Sequence, residues 1–250
     1  MMKNIERNPI VAILAYHKIG DPPEKGWPTW SYVSASVFEQ QLAYLAKNQW
    51  TVIDLDTFLK GFEQPEILPD QAVLITFDDG YRSNLIVALP LLRQFSYPGV
   101  IFVPTGFIDG YNAFDADIFY EPEEPICSWE ELKELERQGV SVQSHGVWHR
   151  HFSTLSVAEQ VVEVVQSKAE IEARLNKTLK VFSFPYGDDG LNSSQTEELL
   201  AEAGYRAACL YNGTSFEVKS ALPYRLERIP IGPDTDMSLV LKLDNCSTRG

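Results

Sequence analysis

The sequence predicts an α/β fold built on a parallel sheet with helical crossovers, and three observations carry that prediction. Short, nearly continuous apolar or β-branched runs alternate with longer amphipathic stretches. The runs are bounded by turn residues, as expected of strands buried on both faces. No repeat, low-complexity tract or Gly/Ser linker breaks the alternation, so residues 1–250 read as one domain, a length at which α/β barrels commonly share a single core. The alternation alone admits a closed barrel or an open doubly wound sheet.

Taken in order, the run 10–16 comes first and is followed by His17. A helix opens near Ser36 and carries Phe38, Leu42 and Leu45 on one face, the spacing of an amphipathic stripe. The run 73–77 leads into Asp78-Asp79-Gly80, and 100–103 into Pro104-Thr105-Gly106. Residues 109–125 are acidic, aromatic and Pro-bearing, and read as a long irregular loop. Ser128-Trp129-Glu130-Glu131 has the spacing of a capping box, and its helix stops at Gly139. The run 140–143 precedes Ser144, His145 and, four residues on, His149. A helix over about 156–175 leads to the run 181–184 and then to Pro185-Tyr186-Gly187-Asp188. A helix over 194–203 and the runs 207–211 and 228–231 complete the pattern. Ionisable residues thus recur just past strand ends, the rim that carries the chemistry in α/β barrels. Three of the four histidines stand there, and His151 follows His149 closely.

Composition narrows the partners. A formal net charge of −14 disfavours nucleic acid, whose binding needs a concentrated basic surface, and disfavours an anionic membrane surface equally. Cys127, Cys209 and Cys246 are an odd set without close pairing, so neither a disulfide framework nor a Cys-x-x-Cys metal site is expected. The apolar run 10–16 is too short to span a membrane, Glu6 interrupts the basic stretch before it, and no small-residue cleavage site follows. As written the chain is expected in the cytoplasm, or outside it if a leader has been removed. Nothing in the pattern speaks to oligomeric state.

Each motif has a plain reading. Asp78-Asp79-Gly80 fits a turn closing a strand, and Phe184-Pro185-Tyr186-Gly187 fits an ordinary Pro-Tyr-Gly turn. Adjacent carboxylates behind a buried strand repel, however, and a bound cation relieves the repulsion. An i, i+4 pair of histidines, on one helical turn or on a strand end plus a loop, can converge on one metal. One carboxylate and two imidazoles leave a coordination position open for water, the pattern of a catalytic zinc site. The second carboxylate can then deprotonate that water for attack on an amide or ester carbonyl.

The motifs Thr76-Phe77-Asp78-Asp79-Gly80, His145-Gly146-Val147-Trp148-His149 and Phe184-Pro185-Tyr186-Gly187 resemble, in order and spacing, those of the polysaccharide deacetylases, carbohydrate esterase family four. The resemblance spans His17 to about Ile231. It implies a distorted (β/α) barrel, usually of seven strands, and a divalent metal, commonly Zn2+. It makes Asp78 the general base and Asp79, His145 and His149 the metal ligands. Pro185 and Tyr186 would line the acetyl pocket, with the Tyr186 N–H holding the oxyanion. The implied activity is removal of an acetyl group, N-acetyl before O-acetyl, from a carbohydrate.

The chain departs from that pattern in three places. Gly146 stands where the second motif usually has Ser or Thr, so a hydroxyl that braces the metal-binding loop is absent. Ser183 stands where the third motif usually has the Arg that orients the base, and Arg228 is the expected substitute; an exposed Arg at a strand edge is the competing reading. The usual C-terminal Leu-x-His is missing, whereas Leu14-Ala15-Tyr16-His17 opens the chain. This resembles the biofilm-polysaccharide deacetylase branch, and because first and last barrel strands are neighbours, His17 is expected to protonate the leaving amine or stabilise the intermediate, with a structural His bonding a neighbouring loop as the competing reading. Two other functions fit the same residues: an amidohydrolase acting on a small nitrogenous substrate, and a catalytically silent carbohydrate binder. Trp27, Trp30, Tyr81, Trp148 and Tyr186 are candidates for stacking on sugars. His151 reads as peripheral to the ligand set, and Asp188 and Asp189 as turn residues.

Overall fold

A computed structural model describes residues 8–241. Cys246 and the stretch before Asn8, Glu6 included, lie outside the described residues. Strand β1 (Ile10–Tyr16) is followed by a short pair, β2 (Lys18–Ile19) and β3 (Tyr32–Val33), and by helix α1 (Ala35–Lys47). Then come β4 (Thr51–Val52), α2 (Leu55–Gly61), β5 (Gln71–Phe77) and α3 (Leu89–Gln94). They are followed by β6 (Gly99–Val103), α4 (Ala113–Phe119), α5 (Trp129–Arg137) and β7 (Val140–Ser144). Helices α6 (Val157–Val161) and α7 (Ser167–Leu175) flank a wide π turn over Val162–Gln166. The rest is β8 (Val181–Ser183), α8 (Ser193–Glu202), β9 (Ala207–Cys209), β10 (Phe216–Glu217), β11 (Ile229–Pro230) and α9 (Met237–Val240).

The main sheet runs β10-β1-β5-β6-β7-β8-β9, with β11 also on β1 and β4 on β5. Every pairing in it is parallel except β10 with β1. The segment from Leu226 to Pro230 spans the seam: Leu226 bonds Ala208 and Leu210 beside β9, while Ile229 pairs with Leu14 of β1. The sheet is therefore a curled, distorted (β/α) barrel, the closed alternative of the two that the alternation allowed.

Alternation along the strands places both sheet faces in apolar surroundings. In β1, Val11 and Ile13 join a cluster with Leu74, Val100 and Phe102, whereas Ala12 and Leu14 join Val73, Ile75 and the α1 residues Phe38, Leu42 and Leu45. That two-sided burial is why these strands read as continuous apolar runs. Local signals set the helix starts: Ser34 caps α1, and Ser128 with Glu131 forms a reciprocal capping box on α5. The register then aligns the strand ends, with Tyr16 opposite Phe77 and Val103 opposite Ser144. His17, Asp78 and His145 consequently leave the sheet at one rim.

The segment 109–125 is not the irregular loop expected from its composition. It contains α4, and it is folded around Asn112, which is fully buried. The Asn112 side chain donates to the Pro122 carbonyl at 3.2 Å and accepts from the Glu124 N–H at 2.7 Å. Such organisation is tertiary and leaves no period in the sequence. Among the described residues no helix is long and apolar enough to cross a membrane.

Candidate active site

The turn after β5 carries both carboxylates. Asp79 has φ 71° and Gly80 φ 74°, a left-handed pair that is unfavourable for the non-glycine residue and costs on the order of 1–3 kcal/mol. The plain reading of this motif as a turn is thus correct, and the turn serves to aim the two side chains inward. Both are buried, at 2% exposure each.

Asp79 meets the two imidazoles. Its Oδ1 lies 3.4 Å from His145 Nε2 and 3.0 Å from His149 Nε2. Ligands at about 2.0–2.1 Å around a tetrahedral ion sit about 3.3 Å apart, so these spacings match a shared cation. Two further observations support the fit. Asp79 Oδ1 is buried and receives no well-formed hydrogen bond. The His145 Nδ1–H donates to the Ser183 carbonyl at 2.8 Å, which commits its Nε2 lone pair to the site. Asp79, His145 and His149 form the cluster suited to a metal ion among the described residues. Burial pushes the Asp79 pKa up, but the neighbouring imidazoles, His149 first, with His17, hold it well below the usual range. The His pair arrives on a strand end plus a loop, and His149 takes φ 51° to reach the cluster.

Asp78 meets Arg228 instead. The guanidinium is completely buried, so the exposed strand-edge reading of this residue fails. Its Nη1 and Nη2 donate to Asp78 Oδ1 and Oδ2, both at 2.7 Å. The remaining donors go to Leu210 O at 2.8 Å, Thr76 Oγ1 at 3.3 Å and Ser183 Oγ at 2.9 Å. All five guanidinium N–H groups therefore have acceptors. Ser183, at the position that departs from the third motif, supplies one of them. Burial raises the Asp78 carboxyl, yet the Arg228 charge first, then His145, hold it below the ordinary value.

His17 reaches the same centre from the end of β1, with Nε2 3.9 Å from Asp79 Oδ2. Its ring lies edge-on between Trp30 and Tyr211, at 5.3 and 5.7 Å. Burial pushes its pKa down, and the opposing charges of Asp79 and Asp78 do not fully restore it. These groups, with Tyr186, line a cavity of about 410 Å³ together with Trp30, Tyr81, Phe119 and Tyr211. Pro185 is buried behind it, and the turn it opens holds Tyr186 at φ 60°. Of the other candidate aromatics, Trp148 lines an adjoining groove, whereas Trp27 is exposed and lines neither. His151 stacks on the outer side of Tyr186 and contacts Asp188 at 3.3 Å, while Asp188 accepts from the Ser153 and Gly190 N–H groups as a turn residue does.

Two residues at the candidate site escaped the sequence reading. Asp115, from α4, lines the cavity and accepts from the Tyr81 hydroxyl at 2.7 Å; burial and the nearby Asp79 push its pKa up to about 6. Glu163 lies 1% exposed in the π turn between α6 and α7. Its Oε2 accepts from the N–H groups of Val147 and Trp148, at 2.6 and 3.0 Å. A Cβ on Gly146 would come within 2.7 Å of that same oxygen. The carboxylate thus fills the space a side chain at 146 would take, and braces the loop that the missing hydroxyl was expected to brace. The available signal was a lone acid in Val161-Val162-Glu163-Val164-Val165.

Removing this brace has a predictable effect. Glu163→Ala leaves two loop N–H groups unpaired, at on the order of 1–3 kcal/mol each. It should weaken metal binding about 10–100-fold, as loss of a supporting partner does, in competition titrations against a chelator. Glu163→Gln keeps an acceptor oxygen and should restore most of that affinity. Equal affinity in all three proteins would show that the loop needs no brace.

The sequence profile of the polysaccharide deacetylase family matches residues 66–208. The chain belongs to that family. It is 23% identical over 221 residues to the putative polysaccharide deacetylase YxkH of Bacillus subtilis, covering 88% of this chain and 71% of that one. It is 25% identical over 225 residues to the poly-beta-1,6-N-acetyl-D-glucosamine N-deacetylase of Staphylococcus aureus strain MRSA252, covering 85% and 72%. Among solved structures, the Streptococcus pyogenes deacetylase PplD in complex with acetate superposes with a TM-score of 0.75 at 23% identity, over 91% of this chain and 94% of that one. The fold of this polysaccharide deacetylase family member is thus shared with a known deacetylase.

Proposed function

We propose that the protein is a metal-dependent N-deacetylase of an acetylated carbohydrate, acting through Asp78, His17 and the Asp79-His145-His149 cluster. The observation that carries this reading is the convergence of the buried Asp79 Oδ1 and two imidazole Nε2 atoms beside a second carboxylate clamped by Arg228. Zn2+ or another divalent cation held by Asp79, His145 and His149 supplies Lewis acidity, lowering the pKa of a water and polarising the acetyl carbonyl.

The chain's own groups do the rest. Asp78, kept ionised and oriented by Arg228, takes a proton from the attacking water at a carboxylate oxygen. The water oxygen bonds to the acetyl carbon, and the Tyr186 N–H stabilises the charge that develops on the carbonyl oxygen. His17 gives its Nε2 proton to the nitrogen as the C–N bond breaks, releasing an amine and acetate. Trp30 and Tyr211 wall this end of the cavity and limit access of bulk water. An amide nitrogen departs poorly without a proton, so a poised acid favours N-acetyl over O-acetyl substrates. The naming of the Staphylococcus aureus relative as an N-deacetylase of an N-acetylglucosamine polymer points the same way.

The deciding assay measures acetate released from N-acetylglucosamine oligomers beside acetylated xylan fragments and small cyclic amides. Release from the oligomers should stop with a chelator and return with zinc. Hydrolysis confined to the cyclic amides would favour the small-substrate amidohydrolase, and release indifferent to chelator would end the metal assignment.

A further inference from the structure

We infer that Lys18 is a positioning residue for the reaction: from behind the catalytic cavity it pins the segment 111–125 to the barrel, and so fixes the wall of the cavity that this segment builds. Its expected effect on turnover rests on the deacetylase reading and adds to it a residue that touches neither substrate nor metal cluster.

Lys18 follows His17 in the chain, yet it stands behind the cavity rather than in its lining. The β2–β3 register sets it opposite Tyr32, and it is only 1% exposed. Its Nζ lies 4.8 Å from the centre of the Tyr32 ring and 4.9 Å from that of Tyr81, and it donates to Glu121 Oε2. The two tyrosines grip the same segment. The Tyr81 hydroxyl donates to Asp115 Oδ2 at 2.7 Å, and the Tyr32 hydroxyl donates to Glu124 Oε1 at 2.8 Å. Main-chain bonds from the Ile126 N–H to Gly110 O and from the Asn112 N–H to Glu124 O, both 3.0 Å, close the base of the segment. Three of its carboxylates thus dock on one box made by Lys18, Tyr32 and Tyr81. The segment in turn presents Asp115, Phe119 and Glu121 to the catalytic cavity.

Stability alone does not call for a lysine in that box. Taking an ammonium and a carboxylate out of water is costly, and an apolar side chain of similar length commonly fills such a place with little net loss. What the cation adds is selection. It attracts an acid from the segment, and the two ring faces fix where its charge, and hence that acid, must stand. Helix α4 covers only Ala113–Phe119, and a helix of that length is marginal without tertiary support, so these contacts set its place over the cavity. A wall fixed before the substrate arrives lowers the entropic cost of binding. Releasing the pin therefore weakens binding while Asp78 and the Asp79-His145-His149 cluster keep their own supports.

The test uses the zinc-loaded full chain as parent, Lys18→Met, Glu121→Gln and the two changes combined. Lys18→Met should raise KM for N-acetylglucosamine oligomers on the order of tenfold and leave kcat within about threefold of the parent, the split expected of lost binding rather than lost chemistry. Glu121→Gln should raise KM similarly, and the combined protein no further, because both changes break one contact. Hydrogen exchange of amides 113–121 should be about tenfold faster in Lys18→Met, with β5 and β7 unchanged. Glu121→Gln alters a partly exposed side chain, so its exchange and KM decide the matter if Lys18→Met does not fold. An unmoved KM, a loss confined to kcat, additive KM effects, or exchange that quickens throughout the barrel overturns the positioning role and leaves the deacetylase reading intact. No acetate from the parent removes that reading, and exchange of 113–121 then decides by itself whether Lys18 pins the segment.

Discussion

Arg228→Met is expected to cost on the order of 3–5 kcal/mol of stability and to lower kcat at least about 10²-fold. The stability loss follows from what the substitution leaves behind. Removing one member of a buried ion pair strands the other, and that penalty exceeds the net worth of the pair. Here Asp78 would keep a charge at 2% exposure, and the acceptors on Leu210, Thr76 and Ser183 would lose their donor. The kcat loss follows because the carboxylate proposed as base would be neither oriented nor kept ionised. The pH dependence should invert as well. In the parent, Asp78 titrates below its unfolded value, so its contribution to stability is full above that value and declines as pH falls through the folded one. In Arg228→Met, burial, the largest influence on Asp78, would be opposed by less positive charge and its pKa would rise. The ionised form then costs stability at neutral pH, and protonation recovers it. Urea midpoints of parent and variant should therefore converge between about pH 7 and about pH 5. Pairing Arg228→Met with Asp78→Asn should recover part of the loss, a coupling that a double-mutant cycle reads directly. A constant gap across that range would mean that Arg228 is only a packing residue.

Why this pair was half legible in the sequence is instructive. Ser183 marks a vacancy in the third motif, and Arg228 is a basic residue near the end of the chain, but only the β11–β1 pairing brings it beneath the rim. Proximity of that kind depends on how the barrel closes, not on spacing. The same distinction runs through the rest. Runs such as 10–16 and 100–103 are nearly coextensive with β1 and β6, because burial on both faces leaves a continuous apolar signature. Two-residue strands such as β2, β3 and β4 carry no period long enough to notice. Helix α4 escapes because its segment is organised around Asn112 by contacts with Pro122 and Glu124. Glu163 is visible as an acid among valines, but its two bonds to the His145–His149 loop need the π turn to face it inward, and π turns have no sequence rule comparable to a cap. The Asp79-His145-His149 cluster was legible because its residues follow a strand end or turn with a familiar motif.

His17→Ala is the second substitution with a large expected effect, and its value lies in how that effect should divide between substrates. On an N-acetyl oligomer, loss of the acid should lower kcat by about 10²–10⁴-fold. On an aryl acetate, whose phenolate departs without a proton, the loss should be far smaller. A lowered pKa makes His17 a stronger proton donor once charged, and burial between Trp30 and Tyr211 is the main cause of that lowering. Metal content should not change, because the cluster is made by Asp79, His145 and His149 and His17 Nε2 stands farther off, 3.9 Å from Asp79 Oδ2. A structural histidine would give a different signature: equal losses on amide and ester, with a lower melting temperature. Near-parental turnover of the amide with metal still bound would end the acid assignment. The proposed placement has a simple origin in the barrel. β1 lies between β5, which delivers Asp78 and Asp79, and β11, beside which Arg228 enters, so a histidine at its end stands on the same rim as the proposed base.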